Sequence, residues 1–275
     1  MRSLVFLAAL VPMFAGANEC RFTAQHDFEV DAAGLNTVAF ALGSTDVTVE
    51  GVPGLAKVEV RGKACASDQA WLAELTVDQQ RSGDRVTITP HERHDANGSW
   101  FHSSYAYIEL HVRVPAALAV DIKGSSGDAD VSNVAALAFA ASSGDLRVDK
   151  IAGALTVEVS SGDVKGGNIG SVDVRRTSSG DLTLHDVRGD VKVARSGSGD
   201  LTFDTVSGSV GIGSVGSGDV SASHVDRDVT VDSIGSGDVS VDTVGGNFSV
   251  RAKGSGDVHQ HAVRGTVSVP HDRDE

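Results

Sequence analysis

Eight copies of one triplet constrain this chain more than anything else in it. Ser-Gly-Asp ends at Asp128, Asp145, Asp163, Asp181, Asp200, Asp219, Asp238 and Asp257, so the aspartates lie 17, 18, 18 and then four times 19 residues apart. Such a period marks a stacked repeat, in which one unit cannot bury its own apolar face and its neighbours must cover it. Aligning the turns on aspartate shows what is buried. The next residue is Ala129, Leu146, Val164, Leu182, Leu201, Val220, Val239 or Val258, and the sixth is Val134, Ile151, Ile169, Val187, Val206, Val225, Val244 or Val263. Further along, apolar residues recur two apart, as in Val191 and Val193 or Val210 and Ile212. That is the alternation of a half-buried strand. Each turn thus holds a short strand, a corner often marked by Gly, and a second short strand. The expected fold is all-β: a parallel β-solenoid, or single-stranded β-helix. At a strand spacing of ~4.8 Å its eight turns stack to roughly 40 Å. Aromatic residues are only 5% of the chain and prolines number five, which suits narrow coils of Val better than an aromatic-filled globule.

The remaining chain divides around this array. Residues 121–270 are the solenoid and 18–120 an irregular β-rich N-terminal cap, which shields an otherwise open strand edge. Within the cap, Gly43-Ser44-Thr45-Asp46, followed by Val47, Val49, Leu55, Val58 and Val60, reads as a degenerate turn with Thr in place of Gly. Leu72–Gln79 and Arg85–Thr89 alternate as strands around Arg81-Ser82-Gly83-Asp84, a hairpin signal. Tyr105–Val114 is a long alternating strand stopped by Pro115, and residues 271–275 form a polar tail.

Residues 1–17 read as a secretory signal peptide: Arg2, a short apolar run from Leu4 to Phe14, then Ala15-Gly16-Ala17. That run is too short to span a bilayer, which takes roughly 20 apolar residues, so no membrane insertion is expected after cleavage. A lipid anchor would need cysteine directly after the cleavage site, and Cys20 lies two residues beyond it. The expected location is periplasmic or secreted. The mature chain would carry 22 Lys and Arg against 37 Asp and Glu, a net charge of −15. A surface of that sign repels nucleic acid and anionic lipid. In an oxidising compartment Cys20 and Cys65 are expected to form a disulfide, since they are even in number and lack a C-x-x-C spacing.

The Ser-Gly-Asp-Val turns, the Val114-Pro115 step before the regular repeats and the exported N-terminus resemble a bacterial putative-adhesin family. Its members are exported β-solenoid domains of unknown function, related to the head regions of some autotransporter adhesins. The resemblance covers nearly the whole mature chain, most specifically Val114 to Val269. It implies a β-solenoid in an envelope or extracellular setting and offers no catalytic residues to carry over.

Two readings compete for the aspartate column Asp128 to Asp257. In the first it is architecture: Gly supplies a positive φ at the corner, and Ser and Asp side chains satisfy backbone N–H groups. In the second it is a calcium ladder, as in Gly- and Asp-rich toxin repeats. Those carry acids on both half-turns, whereas the opposite corner here shows Gly208, Gly246 or Gly265, so half of the six to eight oxygens calcium wants is expected to be missing. A second acid column, Asp149, Asp204 and Asp242, would add repulsion. Other chemistry is sparse. His91, His94 and His102, with Glu92 and Asp95, could hold zinc but fall in a polar loop read as solvated. His259 and His261 are read as surface residues. Trp71, Trp100, Tyr105 and Tyr107 are either a sugar-stacking patch or cap core. No nucleophile–base constellation is visible, so no enzyme, catalytic residue or cofactor is expected. The functional expectation is an adhesin, scaffold or interaction module binding a protein or envelope polysaccharide along its outer face. The alternatives are a carbohydrate-active β-helix enzyme and a calcium-stabilised structural repeat protein.

Overall fold

A computed structural model describes residues 20–93 and 104–270. The expected signal peptide, His94, Asp95, Trp100, His102 and the tail 271–275 lie outside the described residues. No described helix is long and apolar enough to cross a membrane.

The repeats form a coil with two walls of parallel strands. The first wall is built from the strand after each aspartate, as in Leu182–Val187, Leu201–Val206, Val220–Val225 and Val239–Val244. These pair turn on turn in one register, Leu182 to Leu201 to Val220 to Val239 to Val258. The second wall takes the later strand of each turn, with Val191, Val210, Val229 and Phe248 in line. Inward side chains form the core: Leu201, Phe203, Val206, Val210, Ile212 and Val215 in one turn are all buried. Equivalent residues fall in apolar ladders, so each turn covers the next.

The inward offsets after aspartate are one, three and six, a sequence that breaks strand alternation. The cause is a left-handed residue at offset five. Asn133, Lys150, Asn168, Asp186, Thr205, His224, Thr243 and Ala262 all have φ between 53° and 58°. This conformation inserts one residue without reversing the chain, which returns the sixth side chain to the core. For residues other than Gly, Asn and Asp it costs roughly 1–2 kcal/mol, repaid by burying a Val or Ile at offset six.

The triplet glycines do not have positive φ, which corrects the conformational reason expected for them. They are required by close stacking. A Cβ on Gly127, Gly144, Gly162, Gly180, Gly199, Gly218, Gly237 or Gly256 would lie 1.9–2.1 Å from the carbonyl oxygen of the equivalent residue one turn earlier. No side chain fits there without moving backbone.

At the N-terminal end, order in space departs from order in sequence. The degenerate turn Thr37–Ala41 and Asp46–Val52 stacks directly under Ala119–Lys123 and Ala129–Ser132. On its other side lie Arg85–His91 and Ala106–Pro115, which come later in the chain. Val58 and Val60 do not continue the degenerate turn, as their spacing had suggested. The chain reverses through Gly54 (φ 74°), and Lys57–Ala66 runs antiparallel to Ala106–Pro115. Phe22–Gln25 and Phe28–Asp31 then pair antiparallel on its outer edge. The hairpin around Gly83 is present as Thr76–Ser82 and Arg85–His91, but Gln69–Glu74, including Leu72, is a 3₁₀ helix with Asp68 as its N-cap. The far end is blunted by polar residues in core columns. Gln260 follows Phe203, Ala222 and Val241 in register, and Lys253 follows Val215 and Ile234.

Candidate binding face and the aspartate corner

The aspartate corner is a hydrogen-bonded ladder. Starting from Asp46, the Oδ1 of each aspartate accepts the backbone N–H of the aspartate one turn on, through Asp128, Asp145, Asp163, Asp181, Asp200, Asp219 and Asp238 to Asp257, at 2.8–3.0 Å. Carboxylates ~4.8 Å apart repel by roughly 0.9 kcal/mol in bulk water, while a hydrogen bond to a charged group contributes about 1.5–3 kcal/mol. In a solvated corner the bonds win. Asp163 gains a further partner in Lys165 Nζ at 2.9 Å. That bond, followed by the Asp181 N–H, holds its carboxyl below the ordinary 3.8.

The opposite corner is not free of acids, as had been expected. Asp190 accepts the N–H of Ser209, Asp228 that of Asn247, and Asn247 Oδ1 that of Thr266, at 2.7–2.9 Å. It is a sparser version of the same ladder. The acid column at offset four is also partnered rather than repelled. Asp149 accepts from Asn168 and pairs with Lys150, Asp204 accepts from Ser223 and faces His224, and Asp242 faces His261 and Thr243. Hydrogen bonds from these neighbours, led by Lys150, His224 and His261 respectively, hold all three carboxyls below their ordinary value.

Cys20 and Cys65 are joined, with Cα atoms 5.5 Å apart, so the first described residue is tied to the cap strand Lys57–Ala66. Tyr105 and Tyr107 stand beside this bridge with ring centroids 6.1 Å apart. Tyr105 Oη accepts the N–H of Arg21, and Tyr107 is 38% exposed. Trp71 instead packs against the cap core beneath the Arg93 guanidinium, 4.6 Å from its ring. His91 pairs with Asp78 at 3.0 Å. Among the described residues, no three His, Cys, Asp or Glu side chains stand placed to hold one metal ion.

The outer surface of the first wall is a register-locked row. Asp130, Arg147, Lys165, Thr183, Thr202, Ser221, Ser240 and His259 are Cα partners across eight successive turns. Charged at the cap end, it becomes a flat hydroxyl stripe from Thr183 to Ser240. Where it meets the cap, two adjoining shallow depressions of about 320 and 240 Å³ share Thr48 and His111. Their carboxylates are mostly engaged: Asp46 in the ladder, and Glu50 and Glu59 with Arg113. What sequence reasoning missed is the register that makes these outward residues one row; the shared offset of two after aspartate was its signal.

No curated protein matches the sequence. Several solved structures are similar to the chain. One from Parabacteroides distasonis, titled a "putative lipid binding protein", is 15% identical, with 86% of this chain and 96% of that one covered and a TM-score of 0.50. A "putative adhesin" of the same organism is 11% identical, with 86% and 97% covered and a TM-score of 0.49. Another, from Bacteroides fragilis, is 13% identical, with 93% and 100% covered and a TM-score of 0.38. One family matches residues 36–270, from the degenerate turn through the last repeat, and the chain belongs to it: Toastrack DUF4097.

Proposed function

We propose that this protein is an exported, non-catalytic interaction module of the adhesin or scaffold type. It binds a protein or an envelope polysaccharide along the outer row of the first wall, in the periplasm or outside the cell. The observation that carries this reading is the row itself: eight residues in one register, with the hydroxyls of Thr183, Thr202, Ser221 and Ser240 consecutive within it. Short hydroxyl side chains at a fixed spacing of ~4.8 Å suit an extended partner that makes many shallow polar contacts. The disulfide supports an oxidising compartment. Carboxylates bound into ladders and ion pairs leave little for acid–base chemistry, which favours binding over hydrolysis.

The test is saturable binding of the disulfide-intact protein to purified envelope polysaccharide and to intact bacterial cells. Binding lost in the Thr202→Arg/Ser221→Arg double variant, and kept in Thr230→Arg on the opposite wall, supports the proposal. Absence of saturable binding, or equal binding by all three proteins, overturns it. Release of reducing ends from the polysaccharide would put the carbohydrate-active enzyme in its place.

A further inference from the structure

The outer surface of the second wall holds a patch of positive charge on a chain whose mature net charge is −15. Asp173 and Lys192 are Cα partners in adjacent turns, and Thr177 bridges to Ser196 in the same pair of turns. Arg176 and Arg195 immediately precede the bridged residues, so they stand side by side, with Arg175 one residue back. Arg175, Arg176, Lys192 and Arg195 are all exposed. Beyond Arg195 the sequence holds no Lys or Arg until Arg227.

Cations elsewhere on the coil are neutralised by a neighbour: Lys150 by Asp149, Lys165 by Asp163 and Arg251 by Asp232. Among the described residues, the side chains of the four patch cations have no hydrogen-bond or ion-pair partner. Glu158 and Asp173 are in register with Arg176 and Lys192, but they make no ion pair with them, and four cations outnumber two acids. Like charges opposite one another on adjacent strands are destabilising. The fold thus carries a repulsion between Arg176 and Arg195 that nothing in it relieves. Charge-assisted bonds to an acidic ligand supply that relief.

We propose that this patch binds a linear polysaccharide bearing carboxylate groups along its length, independently of the first-wall row. Residues along a strand are ~3.3 Å apart and adjacent turns ~4.8 Å, so cations from Lys192 to Arg195 cover about 10 Å. Spread over that length they engage more than one acidic group, and the planar guanidinium fork matches the planar carboxylate. The next turn presents Gly211 opposite Lys192 and Ser214 opposite Arg195. A Cβ at Gly211 would meet nothing within 4 Å, so this ledge is open and a sugar chain can lie flat across the strands. Neither residue offers the apolar side chain that enters a lipid surface. At ~0.1 M salt, charges more than about 10 Å away are largely screened, so the ligand meets the patch rather than the net charge.

The experiment is calorimetric titration of polygalacturonate into the disulfide-intact protein in EDTA, with uncharged dextran as the control. Saturable binding of polygalacturonate is expected, and none of dextran. It should weaken at least tenfold between about 50 and about 200 mM salt, as contacts that release counterions do. Arg175→Gln/Arg195→Gln is expected to weaken binding at least tenfold, whereas Arg227→Gln/Arg264→Gln, which removes the same charge, leaves it within twofold. Thr202→Arg/Ser221→Arg should keep it, which separates the patch from the row. Arg175→Gln/Arg195→Gln is also expected to melt at or above its parent, so that lost binding is not lost folding. A lower melt would make the two guanidiniums part of the fold and overturn the proposal. Equal loss in the two glutamine variants, or loss in neither, overturns it too. Binding of phosphatidylglycerol vesicles without binding of polygalacturonate would assign the patch to a membrane surface instead.

Discussion

Asp200 Oδ1 accepts the backbone N–H of Asp219 at 2.9 Å, while the carbonyl of Asp219 accepts the N–H of Leu201 at 2.8 Å. A single residue thus engages the preceding turn through both of its backbone groups, one through a side chain and one through the sheet. What matters at the corner is an acceptor atom at Oδ1, and a negative charge is incidental to it. Asn247 shows this directly, because its Oδ1 holds Thr266 N–H at 2.9 Å in the opposite corner. Asp200→Asn is therefore expected to keep stability within about 0.5 kcal/mol, and Asp200→Ala to lose about 1–2 kcal/mol. Urea unfolding of the two variants side by side checks it.

Glycines in the same coil should respond in opposite ways. A Cβ at Gly199 meets the Gly180 carbonyl oxygen at 2.0 Å, whereas one at Gly211 meets nothing within 4 Å. Gly199→Ala is expected to destabilise by at least about 3 kcal/mol, the upper end of overpacking costs. Gly211→Ala should stabilise by about 0.4–1 kcal/mol, because it restricts the unfolded chain at no steric cost. Thermal melts of both variants decide whether stacking or backbone freedom selects glycine at each position.

The left-handed column predicts a gain. Thr205 has φ 58°, a conformation unfavourable for a β-branched residue, while Asn133 and Asn168 hold the same place in earlier turns. Thr205→Asn should raise stability by roughly 0.5–1 kcal/mol, within the cost assigned to left-handed residues. Thr205→Val, with branching and no polar atom, should lower it. A melt in which asparagine gives no gain over valine would refute the strain argument.

Acid should weaken the coil through its outward carboxylates. Asp149, Asp163, Asp204 and Asp242 are all held below their ordinary 3.8 by hydrogen-bonding neighbours. A carboxyl with a lowered folded-state value contributes stability that is complete above the unfolded value and is lost as pH falls through the folded one. Unfolding free energy should therefore hold steady down to about pH 5 and decline below about pH 4. Lys165→Met should flatten part of that decline by removing the partner of Asp163.

Reduction of the bridge between Cys20 and Cys65 acts on the cap. The two are 45 residues apart in sequence, and closing a loop of that size contributes up to about 4 kcal/mol in the chain-entropy account. The Cys20→Ser/Cys65→Ser variant should expose the amides of Phe22–Gln25 and Lys57–Ala66 to hydrogen exchange first. Exchange in Leu201–Val206 should stay slow.

Much of this architecture was legible because a repeat states its pattern many times. Val206, Val225 and Val244 at offset six mark the core without any structure. The reason they can be buried does not show, since residue identity at offset five varies from Asn133 to His224 to Ala262, and only Asn133, Asn168 and Asp186 hint at a left-handed backbone. Glycine in the triplet was visible, but its cause was misread: a contact with the preceding turn's carbonyl leaves the same sequence trace as a positive φ. Asp190 and Asp228 were overlooked at the second corner because Ser209 and Thr266 interrupt their column. Insertion of the Asp46 turn between two later segments was beyond local reasoning, for pairing across that distance leaves no short-range signal. In the column at offset four, His261 alone reads as a surface residue. Only the register with Asp242 gives it a partner.

The most direct test of the central claim, that backbone N–H bonds rather than bound cations hold the aspartate ladder, is thermal unfolding of the metal-free protein with and without millimolar calcium. Coincident melts are predicted, since the Oδ1 atoms of Asp46 and of Asp128 through Asp238 already have their partners in the chain. A calcium site filled to a hundred times its dissociation constant adds about 2.7 kcal/mol, so a large upward shift with calcium would contradict the account and make the corner a cation ladder.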